Sequence, residues 1–133
     1  MSTCVFCEFI QTGKPHHETV WEDEHHIAFL SIEPVTKGHT LVIPKTHYEY
    51  VFDMDQGDYE KLMHAVRVVA VPLQQATHSE RIVLAFEGYS VPHVHAHLIP
   101  SNKSEGGVMF ESHKATANEL DEAARMIRPF FIV

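Results

Sequence analysis

The chain has 133 residues, 44% of them hydrophobic, enough for one domain with a real core and too few for two of ordinary size. Its 18 acidic and 10 basic residues give a net charge of −8, the wrong sign for general binding to a nucleic-acid backbone, although a small anion held by local donors remains compatible with it. The opening MSTCVFCEFI lacks the basic start and long apolar stretch of a secretory leader, and no run reaches the length of a membrane span, so a cytoplasmic protein is expected.

Taken in chain order, STCVFCEFIQTGKP reads as one short helix, capped at Ser2 or Thr3 and stopped at Gly13 and Pro15. Cys4 and Cys7 lie three apart, which puts both thiols on one face of a helical turn. In a reducing compartment a structural disulfide is disfavoured, and the pair is half a zinc site that needs two ligands from the chain's 12 histidines. A redox pair would expect a preceding strand, and only three residues precede Cys4; two ordinary buried cysteines are the remaining reading.

TVWEDEHHIAFLSI reads as two strands turning near Asp23 and Glu24, and GHTLVIPK as a third. The pairs His16-His17 and His25-His26 sit in polar surroundings and read as surface, whereas Trp21 and Phe29 read as core. From Asp55 to about Thr77, Leu62, Val66, Val69 and Leu73 recur at helical spacing and predict the main helix, with Pro72 expected to kink it or end it early. RIVLAFEG and HVHAHLIPS supply strands four and five, and ANELDEAARMI a terminal helix. Short connections favour antiparallel neighbours. The expected fold is therefore α+β: a five-stranded antiparallel sheet with one main helix and short terminal helices, the helices on one side.

The stretch VPHVHAHLIP carries the chemistry. An extended chain sends His93, His95 and His97 to one face and Val94, Ala96 and Leu98 to the other, with Pro92 and Pro100 bracketing the run. At about 3.3 Å per residue His93 and His97 are roughly 13 Å apart, so one ion cannot easily hold all three imidazoles and their work must be divided. His95, central in the trio, is the candidate nucleophile, provided its second nitrogen carries the proton and donates it to a fixed acceptor. Just before it, Glu87 to Ser90 form a turn in which Gly88 would let backbone amides approach an anion.

With these residues in place, the sequence resembles the histidine triad (HIT) family. His93-Val94-His95-Ala96-His97-Leu98-Ile99 matches the family's alternating signature in full, and the likeness extends over CVFCEFI and VWEDEHHIAFLSIEPVTKGHTLVIPKTHYEY in the expected order. The resemblance implies one HIT domain over residues 1–133 that binds a nucleotide and cleaves it at the α-phosphorus through a nucleotidyl intermediate on His95. His97 would then bind phosphate, Ser90 would contact the leaving-group side, and His39 would support the triad. Phe6, Phe9, Phe29 and Ile32 match positions that enclose the base. Zinc-containing members imply a structural ion held by Cys4, Cys7, His47 and His93.

Three positions depart from the family pattern. Tyr89 stands where the family has glutamine, Ser31 where the phosphoramidase branch has an aspartate for the ribose, and Phe86 near that branch's asparagine. The resemblance implies a purine nucleoside phosphoramidase, with a dinucleoside polyphosphate hydrolase or a nucleotide-binding interaction protein of little turnover as alternatives. A homodimer is implied in the same way, with a small nucleotide as the ligand and neither nucleic acid nor membrane as partner.

Overall fold

The computed structural model describes residues 4–13, 18–108 and 112–131. The first helix, α1 (Val5–Thr12), is capped by Cys4 itself, whose Sγ accepts from the Cys7 amide at 3.4 Å. The cap expected at Ser2 or Thr3 is thus displaced to the cysteine; Ser2 and Thr3, with Pro15 and the His16-His17 pair, lie outside the described residues. Gly13 ends the helix at φ 64°, the left-handed conformation that glycine adopts without strain.

Strands β1 (Thr19–Glu22) and β2 (His26–Leu30) are joined through Asp23. Its Oδ1 accepts from the amides of His25 and His26 at 2.8 and 2.7 Å and from the ring of His26 at 3.0 Å. The turn is where the sequence put it, but His26 is buried by that contact while His25 stays on the surface. Strand β3 (Thr40–Pro44) follows, then helix α2 (Gln56–Thr77), whose cap Asp55 accepts from the amides of Gly57 and Asp58. Strand β4 (Arg81–Ala85), strand β5 (Ala96–Ser101) and helix α3 (Ala117–Ile127) complete the chain, α3 starting from a Thr116–Glu119 capping box.

The sheet runs β1-β2-β3-β5-β4, and every neighbouring pair is antiparallel. β5 inserts between β3 and β4, so the two strands joined by α2 are not neighbours. This brings the segment before β5 to the middle of the sheet. Among the described residues, no helix is long and apolar enough to cross a membrane.

Two expectations are corrected. Helices cover both faces: Ala28, Val42, Val94, Ala96 and Leu98 pack with Leu62, Ala65, Val66 and Val69 of α2, whereas Ile27, Phe29, Leu41 and Ile43 pack with Phe6 and Phe9 of α1. And α2 does not end at Pro72 but runs to Thr77, where His78 closes it at φ 52°. The carbonyl that Pro72 leaves without a donor belongs to Val68, which is exposed, so water can satisfy it.

Candidate functional site

The histidine trio straddles the start of a strand. β5 begins at Ala96, so His93 and His95 precede it, which shortens the strand expected from His93. Here the backbone is engaged elsewhere: the His93 amide donates to the Val91 carbonyl at 2.8 Å, and the Val94 amide to that of Tyr48 at 2.7 Å. The alternation nevertheless holds. Val94, Ala96 and Leu98 face the α2 core, while Phe6 of α1 meets the rings of His93 and His95 edge-on at 5.8 and 5.4 Å.

Hydrogen bonds to carbonyls fix the tautomers, because a carbonyl can only accept. His95 Nδ1–H donates to the His93 carbonyl at 2.7 Å, which leaves the Nε2 lone pair facing the site. His93 Nε2–H donates to the Pro44 carbonyl at 2.8 Å and turns its Nδ1 toward the cysteines. A third chain begins with the Val35 amide, which donates to His39 Nδ1 at 3.0 Å. His39 must then donate from Nε2 to His97 Nδ1, at 2.9 Å, and His97 presents its Nε2–H to the site. That buried nitrogen has no hydrogen-bond partner, as suits a donor awaiting an anionic oxygen.

Burial, aided by the neighbouring His97, pushes His39 down to about 4, so the chain of donors starts from a neutral ring. His97 is lowered too, by burial first and by His95, against the opposing pull of Glu87. His93 is likewise lowered, chiefly by burial.

A second cluster lies behind the first. His93 Nδ1 is 3.4 Å from the Sγ atoms of both Cys4 and Cys7, His47 Nδ1 is 3.2 Å from Cys7 Sγ, and the two Nδ1 atoms are 3.2 Å apart. Ligands at about 2.0–2.1 Å for nitrogen and about 2.3 Å for sulfur around a tetrahedral ion would stand roughly 3.3–3.8 Å from one another. The donor set fits one thiophilic divalent ion, and the bond from His93 to Pro44 orients the ring as a carbonyl commonly orients a ligating histidine.

The residue that sequence reading passed over is Glu87. Its Oε1 lies 3.4 Å from His95 Nε2 and 3.8 Å from His97 Nε2. Its carboxylate accepts from the Tyr89 amide at 2.8 Å and from Ser90 Oγ–H at 2.8 Å. The tight turn at Gly88, φ 72°, does bring an amide to an anion, but the anion is the turn's own side chain. Those bonds, the Tyr89 amide first, hold the Glu87 carboxyl below its usual range. Although Glu87, His95 and His97 converge as metal ligands do, His97 offers a proton there rather than a lone pair, so this trio does not suit a cation.

Phe6, Phe9 and Phe29 come together, with ring centroids 5.4 Å apart for Phe6–Phe29 and 4.9 Å for Phe9–Phe29. All three are buried, Phe29 completely, so as the structure stands they form the body of a wall more than its surface. Ser31 follows at the end of β2, its amide donating to the His39 carbonyl and its Oγ accepting from the Glu33 amide. Ile32 and Tyr89 project into solvent.

Fold and site together define an α+β domain of the histidine-triad class. The HIT domain family model matches residues 13–104, and the chain belongs to that family. Protein hit of Bacillus subtilis is 40% identical over 119 residues, covering 83% of this chain and 80% of its own. The adenosine 5'-monophosphoramidase HNT1 of Saccharomyces cerevisiae is 30% identical over 112 residues, covering 81% and 68%. Among solved structures, a Zn-bound histidine triad family protein from Mycobacterium smegmatis superposes with a TM-score of 0.72 at 26% identity, over 96% of this chain and 91% of that one.

Proposed function

We propose that this protein hydrolyses a nucleotide conjugate at its α-phosphorus, with a purine nucleoside phosphoramidate as the preferred class. The observation that carries the reading is the pairing of a carbonyl-tethered His95, its Nε2 lone pair free to attack, with the N–H that His97 turns into the same space. His95 Nε2 forms a bond to phosphorus as the P–N bond to the amine breaks; the amine leaves with that electron pair and takes a proton from water. Water then attacks phosphorus, the Nε2–P bond breaks, and nucleoside monophosphate leaves with the neutral imidazole restored. His97 holds a phosphoryl oxygen, His39 holds His97, and Ser90 serves the leaving-group side. The nucleoside lies on the α1 side, against the wall built on Phe6, Phe9 and Phe29, with Ser31, Ile32 and Tyr89 at its margin.

The same reading makes Cys4, Cys7, His47 and His93 the ligands of a structural zinc, supported by their geometry and by the Zn-bound relative. Zinc supplies no step of the chemistry. It ties α1 to the segment whose carbonyl holds His95. Residues 1–133 act as a single HIT domain in the cytoplasm. A homodimer is supported by α3, an amphipathic helix with no buried residue, on which Leu120, Met126 and Ile127 are exposed.

The test is turnover by purified protein of an aminoalkyl adenosine phosphoramidate against a diadenosine polyphosphate, with acid-quenched samples examined for a nucleotidyl adduct on His95. Preferential hydrolysis of the first, with the adduct, supports the reading. Binding without turnover would assign the protein to nucleotide-dependent interaction instead.

A further inference from the structure

Beside His95 opens a cavity of about 610 Å³ that the reading above leaves without an occupant. Its charged side chains other than histidine are the carboxylates of Glu49 and Glu87, and no lysine or arginine lines it among the described residues. Aromatic rings make up much of the rest: Tyr50, Phe52, Tyr59 and Phe86. Faces of aromatic rings attract organic cations, and carboxylates at the rim add to that attraction. Two donors of the turn beside His95 that could have greeted an anion are already taken, since the Tyr89 amide and the Ser90 hydroxyl both bond to Glu87. A polyphosphate or sulfate leaving group would enter facing two negative charges with these donors engaged.

We propose that Glu87 is a specificity-determining residue, which makes this site select conjugates whose leaving group is a positively charged amine and disfavour those whose leaving group is anionic. The inference rests on the hydrolase reading, which puts the nucleoside on the α1 side, and adds to it that the leaving group departs into the aromatic cavity. Glu87 is the pivotal carboxylate because its Oε1, at 3.4 Å from His95 Nε2, holds a negative charge where the cavity meets the nucleophile. Glu49 lines the same cavity and adds to the potential at longer range.

The experiment compares kcat/KM for three adenosine phosphoramidates of matched size, whose leaving amines end in an ammonium, a neutral amide or a carboxylate. Wild type, Glu87→Gln and Glu49→Gln are measured with thermal unfolding alongside. Glu87→Gln keeps the side chain's shape and its acceptor oxygen while removing the charge. The ammonium substrate should be preferred over the neutral one roughly tenfold in wild type, a preference that weakens with added salt and falls to about twofold in Glu87→Gln. A wild type that turns over all three alike would overturn the proposal, as would a preference that survives Glu87→Gln. Failure to hydrolyse any of the three overturns the hydrolase reading itself, and this proposal with it.

Discussion

His95 and His93 share one peptide segment, and the bond from His95 Nδ1 to the His93 carbonyl is what leaves the opposite nitrogen unprotonated. In His95→Asn the amide nitrogen can replace Nδ1 as donor, so the loop should keep its shape and nucleotide affinity should stay within a few fold. Turnover should fall to near background, measured by steady-state hydrolysis beside equilibrium binding; substantial remaining activity would remove the nucleophile from His95. His39 permits a prediction with a definite sign. Its ring is pushed from the usual 6.5 down to about 4, so below pH 6.5 the unfolded chain takes up a proton that the folded chain refuses. That stability is complete above pH 6.5, is lost as pH falls toward 4, and amounts to about 3 kcal/mol. The advantage of wild type over His39→Gln in urea unfolding should therefore shrink across that window. The trio was legible because a period of two is a strong pattern. Glu87 was not, because a carboxylate that bonds the amide two residues on and the hydroxyl three residues on looks, in sequence, like any other surface turn.

Between elements the tightest constraint is Gly38, just before β3, where φ is 90° and an added Cβ would stand 2.9 Å from Thr77 Cγ2 at the end of α2. Gly38→Ala combines a disfavoured conformation with a contact relieved by turning Thr77, whose hydroxyl bonds the Leu73 carbonyl, or by shifting the helix end, and should cost about 1–3 kcal/mol in denaturant unfolding. A neutral substitution would mean that Thr77 or the last turn of α2 yields freely. The neighbouring Asp55 cap is a milder case: Asp55→Ala removes the acceptor for the Gly57 and Asp58 amides and should cost about 1 kcal/mol. Positions of elements were readable where local chemistry decides them, as at Asp23, Gly13 and the apolar stripe of α2. Boundaries were less so. β5 starts at Ala96 because distant partners, Tyr48 and Pro44, claim the backbone of Val94 and the ring of His93, and those contacts have no local signature. The helix continues through Pro72, whose orphan carbonyl belongs to the exposed Val68, and which residues packing leaves exposed has no local signature.

At the scale of the whole chain, the strands were legible individually and their layering was not. HIAFL and TLVIP are apolar at successive positions, the pattern of strands covered on both faces, and α1 and α2 do cover them from opposite sides. A short eight-residue helix holds such a position poorly by itself, since its buried side chains are Phe6 and Phe9, with Cys7 and Ile10 only partly covered. Three segments far apart in sequence meet at its N-terminus: Cys4 and Cys7, His47 after β3, and His93 before β5. An ion there would close long loops and fasten α1 to the sheet, so its binding energy becomes folding energy for this half of the molecule. Untagged protein should carry one zinc per chain by elemental analysis. Cys4→Ser with Cys7→Ser should lose the metal and lower the unfolding temperature by about 10 °C or more, as a loss of several kcal/mol would in a chain of this size. Turnover should fall with it, although neither cysteine is placed against substrate, because the carbonyl of His93 sets the tautomer of His95. Wild-type protein stripped of zinc that kept both its unfolding temperature and its activity would show that the four side chains pack without an ion.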